Sequence, residues 1–204
     1  MTTIILVRHG QTEWNQVERF RGRADVPLNE TGLAQARAAG RRIAGAWQAE
    51  AIYTSPLSRA ARTAEAIAEP CHLPVRVHPG LVDIDYGEWQ GLTPDEVRAR
   101  WPGAMNAWLG TPHLARIPGG ETLDALRVRA MAAVEELAAR HPEGAIVLVG
   151  HTVVNRVILL AVLGLDADRF WRLRQDTCAV NVFEAGPGGF ALVLLNDTCH
   201  LRAI

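Results

Sequence analysis

Short apolar runs alternate with longer amphipathic segments along this chain. Buried strands are predicted for the apolar runs at residues 4–7, 51–54, 75–78 and 145–149. The helical spacing of apolar residues predicts helices over residues 31–47, 58–68, 121–140 and from His151 to about Leu163. Asn29 and Thr31 are the candidate caps of the first helix. Residues 180–184 and 190–195 alternate around a Gly-Pro-Gly-Gly run, which predicts a closing β-hairpin.

Strands that alternate with helices predict an α/β fold whose mostly parallel sheet is covered on both faces. Residues 87–120 break this pattern, because tryptophan alternates there with proline and glycine. We interpret this segment as an excursion that covers one end of the sheet, within a single domain spanning residues 1–204. Ligands of such sheets bind beyond the carboxyl ends of the strands. His9 and His151 each follow a predicted strand, so both are expected at that edge.

The net charge and the absence of lysine exclude several classes of function. The 204 residues are 49% hydrophobic, which is ample for a core, and 21 basic side chains balance 22 acidic ones. The net charge of −1 argues against a nucleic-acid partner or a membrane-surface partner, since both require a basic excess. Every basic residue is an arginine, which excludes chemistry that needs a Schiff-base lysine or a phosphate-loop lysine.

Cysteine usage and the apolar runs predict a cytoplasmic protein. No apolar run approaches the ~20 residues of a membrane span, and the N-terminus lacks the features of a signal peptide. Cys71, Cys178 and Cys199 are odd in number and widely spaced, which fits a reducing compartment and gives no metal-ligand spacing. Cys199 and His200 are adjacent, but two ligands do not make a zinc site.

Three polar clusters follow predicted strands, at residues 8–15, 55–64 and 150–151. If they converge at one edge of the sheet, the resulting pocket contains two histidines and at least two arginines. Guanidinium groups match phosphate oxygens with paired donors, and an imidazole can attack phosphorus. The clusters together therefore indicate a pocket that binds a phosphoryl group.

The segment Leu-Val-Arg-His-Gly-Gln-Thr-Glu-Trp-Asn at residues 6–15 resembles the signature of the histidine phosphatase superfamily, also called phosphoglycerate-mutase-like. Further segments that resemble the family follow in its order at residues 22–28, 55–64, 87–91, 118–121 and the strand leading to His151. The resemblance extends from about Ile4 to His200.

The resemblance implies a three-layer α/β/α sandwich and a phosphohistidine intermediate formed on His9. The residues that it implies around the phosphoryl group and the substrate are Arg8, Asn15, Arg21, Gly22, Arg59, His151 and Thr152. Two guanidinium groups and a protonated His151 would neutralise a phosphate dianion, so neither a metal ion nor another cofactor is expected. Helix geometry does not choose between Arg59 and Arg62, which are three residues apart, whereas the resemblance favours Arg59.

The proton donor is the point at which this chain departs from the family. Asp83 stands where the family usually has a glutamate, and aspartate is shorter and has a lower reference pKa, about 3.9 against about 4.3. Asp85 and Glu88 are therefore alternative donors. The spacing between Asp83 and Gly87 matches that of the family's acid and favours Asp83.

Two departures favour a phosphatase over the alternative, a phosphoglycerate mutase. Ile84 stands where mutases of the family typically carry arginine, and Thr152-Val153 replaces their Gly-Asn after the second histidine. Neither Ile84 nor Val153 can bind a second phosphate or a carboxylate, so water would be left to attack the phosphohistidine. Retention of Arg8 and His9 argues against a third alternative, a non-catalytic regulatory protein that binds a phosphorylated ligand.

The C-terminal region resembles the metal-independent phosphoserine phosphatases of the superfamily. The similarity is carried by residues 151–153, Phe170-Trp171 and residues 196–201. Sugar phosphates, phosphoglycerate-derived esters and α-ribazole phosphate stay open as alternative substrates. A homodimer also stays open, because no interface signal can be told apart from the core.

Overall fold

The computed structural model describes residues 1–202, and its centre is a sheet of six strands in the order β3-β2-β4-β1-β5-β6. The strands are β1 Thr2–Arg8, β2 Ala49–Thr54, β3 Val75–Val77, β4 Ala145–Gly150, β5 Val180–Gly186 and β6 Gly189–Asp197. Strands β3, β2, β4 and β1 are mutually parallel, whereas β5 runs antiparallel to both β1 and β6. The predicted mostly parallel sheet and closing hairpin are confirmed.

The four predicted helices are present with shifts of a few residues at their ends, and three short α-helices, at residues 13–16, 94–100 and 102–110, are added to them within the described residues. They are α1 Glu13–Gln16, α2 Glu30–Ala46, α3 Ser58–Cys71, α4 Pro94–Arg100, α5 Pro102–Gly110, α6 Leu123–Arg140 and α7 Thr152–Val162. Asn29 rather than Thr31 caps α2, since its side-chain oxygen accepts a hydrogen bond from the Gly32 amide at 2.9 Å. Within residues 1–202, every helix is too short or too polar to cross a bilayer.

Alternating side chains of the central strands enter two different hydrophobic layers. Ile5 and Val7 of β1 pack in one cluster with apolar residues of α2 and α3. Ile4 and Leu6 point the other way, into a cluster that includes buried residues of α6 and α7. Because successive residues of a strand face opposite sides of a sheet, one fully apolar strand serves both layers. This confirms the three-layer α/β/α sandwich.

The segment at residues 87–120 forms two short helices, α4 and α5, which the sequence pattern did not show. Thr93 caps α4 and pairs with Glu96 in a capping box, a local signal of a helix start. Trp89 and Trp108 are buried in the same hydrophobic cluster as α6 and α7. The aromatic residues of this segment therefore extend the core on one side of the sheet.

Helices α2 and α3 approach each other most closely at Gly40. A Cβ atom at this position would lie 2.5 Å from the Ala66 carbonyl oxygen and 3.1 Å from the Ile67 Cα. Both neighbours are backbone atoms, which cannot rotate out of the way. Gly45 lies on the same helix, but a Cβ atom there would have nothing within 4 Å.

We expect Gly40→Ala to destabilise the protein by about 1–3 kcal/mol, because the added methyl group forces the two helices apart. Gly45→Ala is the matched control and should be neutral or stabilising by up to about 1 kcal/mol, since alanine has the higher helix propensity. Urea denaturation followed by circular dichroism measures both free energies of unfolding. Equal stability of the two variants would contradict the close packing of α2 against α3.

Candidate active site

His9 lies directly after β1 and is almost completely buried, with 1% of its surface exposed. Its Nδ1 donates a hydrogen bond to the Gly10 carbonyl oxygen at 2.6 Å. The proton on Nδ1 leaves Nε2 with a free electron pair. Thr63 holds this loop, because its hydroxyl accepts from the Gly10 amide at 3.1 Å and donates to the Arg59 carbonyl oxygen at 2.8 Å. The nucleophile predicted from the sequence is therefore fixed in the tautomer that an attack through Nε2 requires.

The two histidines are neighbours because the strands that precede them are paired. Arg8 of β1 lies beside Gly150 of β4 in a parallel register, and the His9 amide donates to the Gly150 carbonyl oxygen at 3.0 Å. The residues that follow the two strands are thus brought together, and the imidazole centroids of His9 and His151 are 5.1 Å apart. Burial, followed by the charge of Arg59, lowers the pKa of both histidines well below the usual value.

The hydrogen bonds of His151 are those of a neutral imidazole, which differs from the protonated form expected from the sequence. Its Nδ1 accepts a hydrogen bond from Arg59 Nε at 3.1 Å, so this nitrogen carries no proton. Its Nε2 donates to Ser55 Oγ at 2.7 Å. A second positive charge beside a buried guanidinium is unfavourable, which explains the neutral state.

Arg59 is fully buried and donates hydrogen bonds in three directions. Besides its bond to His151, it donates to the carbonyl oxygens of Gly22 and Ala24, both at 2.7 Å. Burial lowers the pKa of Arg59 to about 10, so the side chain stays charged at neutral pH. Arg62, three residues on, is exposed and pairs with Glu65 at the surface. The structure thus places Arg59 at the site and Arg62 away from it.

Arg8 is buried beside His9 and donates from Nη1 to the Gln175 carbonyl oxygen at 2.6 Å. Its Nε is buried without a hydrogen-bond partner. Burial, followed by the charge of Arg21, lowers the pKa of Arg8 to about 9, which still leaves it charged at neutral pH. An unpaired donor on a buried cation is unfavourable unless an anion completes it.

A cavity of about 510 Å³ opens at this edge of the sheet. The predicted residues that line it are Arg8, Asn15, Arg21, Gly22, Asp83 and Thr152. His9, Arg59 and His151 are buried next to it, as their contacts with one another and with Gly22 show. The structure therefore brings all nine predicted residues together.

Of the three candidate proton donors, only Asp83 lines the cavity. Its Oδ1 is buried without a hydrogen-bond partner, and burial raises its pKa although the charge of Arg59 opposes the shift. Asp85 instead accepts from the Gly87 amide at 2.9 Å and pairs with Arg23 at 3.2 Å. Glu88 is exposed outside the cavity. The geometry favours Asp83 as the acid.

Several cavity residues were missed by sequence reasoning. Among them are Glu18, Arg19, Phe20, Arg98, Arg156 and Phe170. Arg156 follows Thr152 by four residues on α7, and this spacing on one helix face was the signal available. From Ile84 and Val153, the sequence predicted that no residue would bind a second phosphate or a carboxylate of the substrate. Arg156 corrects this prediction, because it is a cation that lines the cavity beyond the predicted phosphoryl site.

The tryptophans contribute to the cavity wall, to the core, or, in the case of Trp108, to both. Trp108 and Trp171 line the cavity and contact each other edge to face, with centroids 5.7 Å apart. Trp89 is fully buried, and Trp101 packs partly buried against the same core. The local sequence could not separate these positions, because whether a tryptophan reaches the cavity depends on tertiary packing.

A potential group of metal ligands lies outside the cavity. Over residues 1–202, ligand atoms of Asp197, Cys199 and His200 come within 4.8 Å of one another. Asp197 was not considered with the Cys199-His200 pair in the sequence. Its carboxylate accepts from the Cys199 thiol at 3.3 Å and lies 3.7 Å from Arg42, so it already has partners within the protein.

Curated relatives match nearly the whole chain. Phosphoserine phosphatase 1 of Hydrogenobacter thermophilus is 35% identical over 98% of this chain and 95% of its own length. A metal-independent phosphoserine phosphatase of Arabidopsis thaliana is 38% identical over 100% of this chain and 85% of its own length. A probable phosphoglycerate mutase, GpmB of Photorhabdus laumondii, is 36% identical over 98% and 95% of the two chains.

The fold is equally well matched among solved structures. YhfR of Bacillus stearothermophilus superimposes with a TM-score of 0.94 at 32% identity, covering 99% of this chain and 100% of the other. Residues 4–198 match the family model of the histidine phosphatase superfamily (branch 1). With the ordered motifs of the sequence and the paired histidines at the sheet edge, this match shows that the chain belongs to the histidine phosphatase superfamily.

Proposed function

We propose that this chain hydrolyses small phosphomonoesters without a metal ion, through a phosphohistidine intermediate on His9. The observation that carries the proposal is the bond from His9 Nδ1 to the Gly10 carbonyl oxygen in an arginine-rich pocket. It leaves Nε2 unprotonated, and burial keeps the pKa of His9 low enough for the ring to stay neutral at neutral pH.

Family membership supports the class of reaction. The chain is a phosphoric monoester hydrolase that acts on small phosphorylated metabolites, and a mutase activity is no better supported. For the finer substrate we propose phosphoserine or a similar small ester, because two relatives bear the name phosphoserine phosphatase. Metal independence is supported by the name of the Arabidopsis relative and by the cationic side chains of the cavity.

The proposed reaction has two steps. In the first, His9 Nε2 forms a bond to phosphorus while the bond to the ester oxygen breaks, and Asp83 gives its proton to the leaving alkoxide. In the second, water attacks the phosphohistidine, Asp83 takes up the water's proton, and inorganic phosphate leaves as the bond to Nε2 breaks. Arg8 and Arg59 are proposed to stabilise the charge that develops on the phosphoryl oxygens. The raised pKa of Asp83 suits a donor that must start protonated.

The domain organisation is also a proposal. We propose that residues 1–204, the last two of which lie outside the described part of the chain, form one domain with the segment at residues 87–120 over the site. Its residues Pro94, Arg98 and Leu109 line the cavity.

We propose a cytoplasmic location, which the free thiols of Cys71, Cys178 and Cys199 support. A homodimer stays an open hypothesis that light scattering can test.

His9→Asn should abolish phosphoenzyme formation, because the substitution removes the attacking nitrogen. Acid-labile, base-stable label from a phosphorylated substrate should appear on the unmodified protein in excess EDTA and be absent from the variant. His72→Asn is the control, because His72 is exposed and lies far from His9 in the sequence, as the C-cap residue of α3. Label retained in His9→Asn would refute the nucleophile, and activity that EDTA abolishes and a divalent ion restores would refute metal independence.

Asp83→Asn should lower kcat/KM for an alkyl phosphate by roughly 10²–10⁴-fold, the usual contribution of a general acid. The loss should be much smaller with p-nitrophenyl phosphate, whose leaving group barely needs a proton. Activity on the alkyl ester should fall as pH rises through the raised pKa of Asp83, and this limb should disappear in the variant. Asp85→Asn is the matched control. An equal loss on both substrates would instead indicate a binding or structural role for Asp83.

Arg59→Gln should lower kcat/KM by roughly 10²–10³-fold, because it removes a buried donor and the contact that orients His151. Arg62→Gln should stay within about twofold, as expected for an exposed ion pair. Steady-state kinetics on p-nitrophenyl phosphate measures both, and circular dichroism checks that each variant is folded. A larger loss in Arg62→Gln would show that the register of α3 is wrong.

A further inference from the structure

Arg156 differs from every other arginine that lines the cavity. Four of the five donate hydrogen bonds to protein acceptors: Arg8 to Gln175, Arg19 to Gly91, Arg21 to Trp14 and Arg98 to Asp95. Over residues 1–202, the guanidinium group of Arg156 makes no such bond, and its Nε is buried. The guanidinium group of one cavity-lining side chain is therefore left without a protein acceptor.

Aromatic rings hold this guanidinium group in place without neutralising it. The Arg156 Cζ atom lies 5.1 Å from the ring centroids of both Phe170 and Trp171, and the two centroids are 4.9 Å apart. The three groups form a nearly equilateral triangle, so the rings cover one side of the cation and its other side is turned away from them. No carboxylate within the described residues lies at ion-pair distance from Arg156; the nearby Asp176 pairs with Arg174 at 2.8 Å. A largely buried cation without a counter-ion is unfavourable until an anion arrives.

Arg156 lies one helical turn from Thr152, a residue of the predicted phosphoryl site, and lines the same cavity. Thr152 lies next to His151 at the start of α7 and lines the cavity with a buried, unpartnered hydroxyl. Arg156 follows four residues later on the same face, about 6 Å further along the helix axis. Both side chains line the same cavity, so one small ligand can contact both.

We propose that Arg156 binds a carboxylate group of the substrate, so that the site selects small phosphomonoesters of hydroxy acids or amino acids. The inference rests on the proposed phosphatase activity and specifies its substrate class. One guanidinium charge balances one carboxylate, and its planar pair of donors matches the two carboxylate oxygens. The rings of Phe170 and Trp171 supply a rigid support, which reduces the entropy that the side chain loses on binding.

Phosphoserine and phosphoethanolamine provide the test, because they differ only in the carboxylate. The unmodified protein should prefer phosphoserine, and Arg156→Gln should lower the ratio of the two kcat/KM values by roughly 30-fold or more. The ratio cancels any loss of phosphoryl transfer that the two substrates share. Arg169→Gln is the control, since Arg169 lies on the neighbouring 3₁₀ segment, is exposed and pairs with Asp168 at 3.2 Å. This variant should keep the ratio of the unmodified protein.

The result that would overturn the inference differs from the result that would overturn the proposed function. An unchanged ratio in Arg156→Gln, or no preference for phosphoserine in the unmodified protein, excludes the carboxylate site while phosphatase activity stands. Absence of hydrolysis of these esters and of p-nitrophenyl phosphate excludes the phosphatase proposal instead. Calorimetric binding of both esters to His9→Asn, with and without Arg156→Gln, then decides on the carboxylate site independently of turnover: a loss of affinity confined to phosphoserine supports it, and equal affinities overturn it.

Discussion

The parallel pairing of β1 with β4 is the constraint on which the site depends. It fixes Arg8 beside Gly150, and it therefore places His9 and His151 at the same edge with their rings 5.1 Å apart. A shift of one residue in this register would turn each strand's apolar side chains to the opposite layer. The two hydrophobic layers that hold Ile4, Leu6, Ile5 and Val7 thus also hold the geometry of the histidines.

Buried positive charge has two consequences at this edge. Burial, followed by the charge of Arg59, lowers the pKa of both neighbouring imidazoles, which favours the neutral form of His9, the proposed nucleophile. The same cations need compensation, and backbone carbonyl oxygens provide part of it, as at Gly22 and Ala24. The remaining unpaired donors, such as Arg8 Nε, leave the site incomplete without an anion.

Different parts of the fold supply the chemistry and the selection of the substrate. The proposed nucleophile and its partners lie at the ends of β1, β2 and β4, where the sheet makes them rigid. The outer wall of the cavity comes from α4, α5, the start of α7 and the aromatic pair Phe170 and Trp171. Side chains on this wall can change without disturbing the phosphoryl site, which is how one fold serves different substrates.

The sequence by itself determined the order of the strands and of the long helices α2, α3, α6 and α7, because the apolar period of each segment shows whether it packs as a strand or as a helix. It did not show α4 and α5, whose segment has no single apolar period. Its contiguous motifs also singled out Arg8, His9 and Arg59 as candidate site residues. Only the tertiary structure showed that Asp83 lines the cavity whereas Asp85 pairs with Arg23, and only it revealed Arg156, because cavity lining depends on where packing points a side chain. The lowered pKa of His151 also depends on the tertiary structure, since it follows from burial and from charges brought together by distant segments.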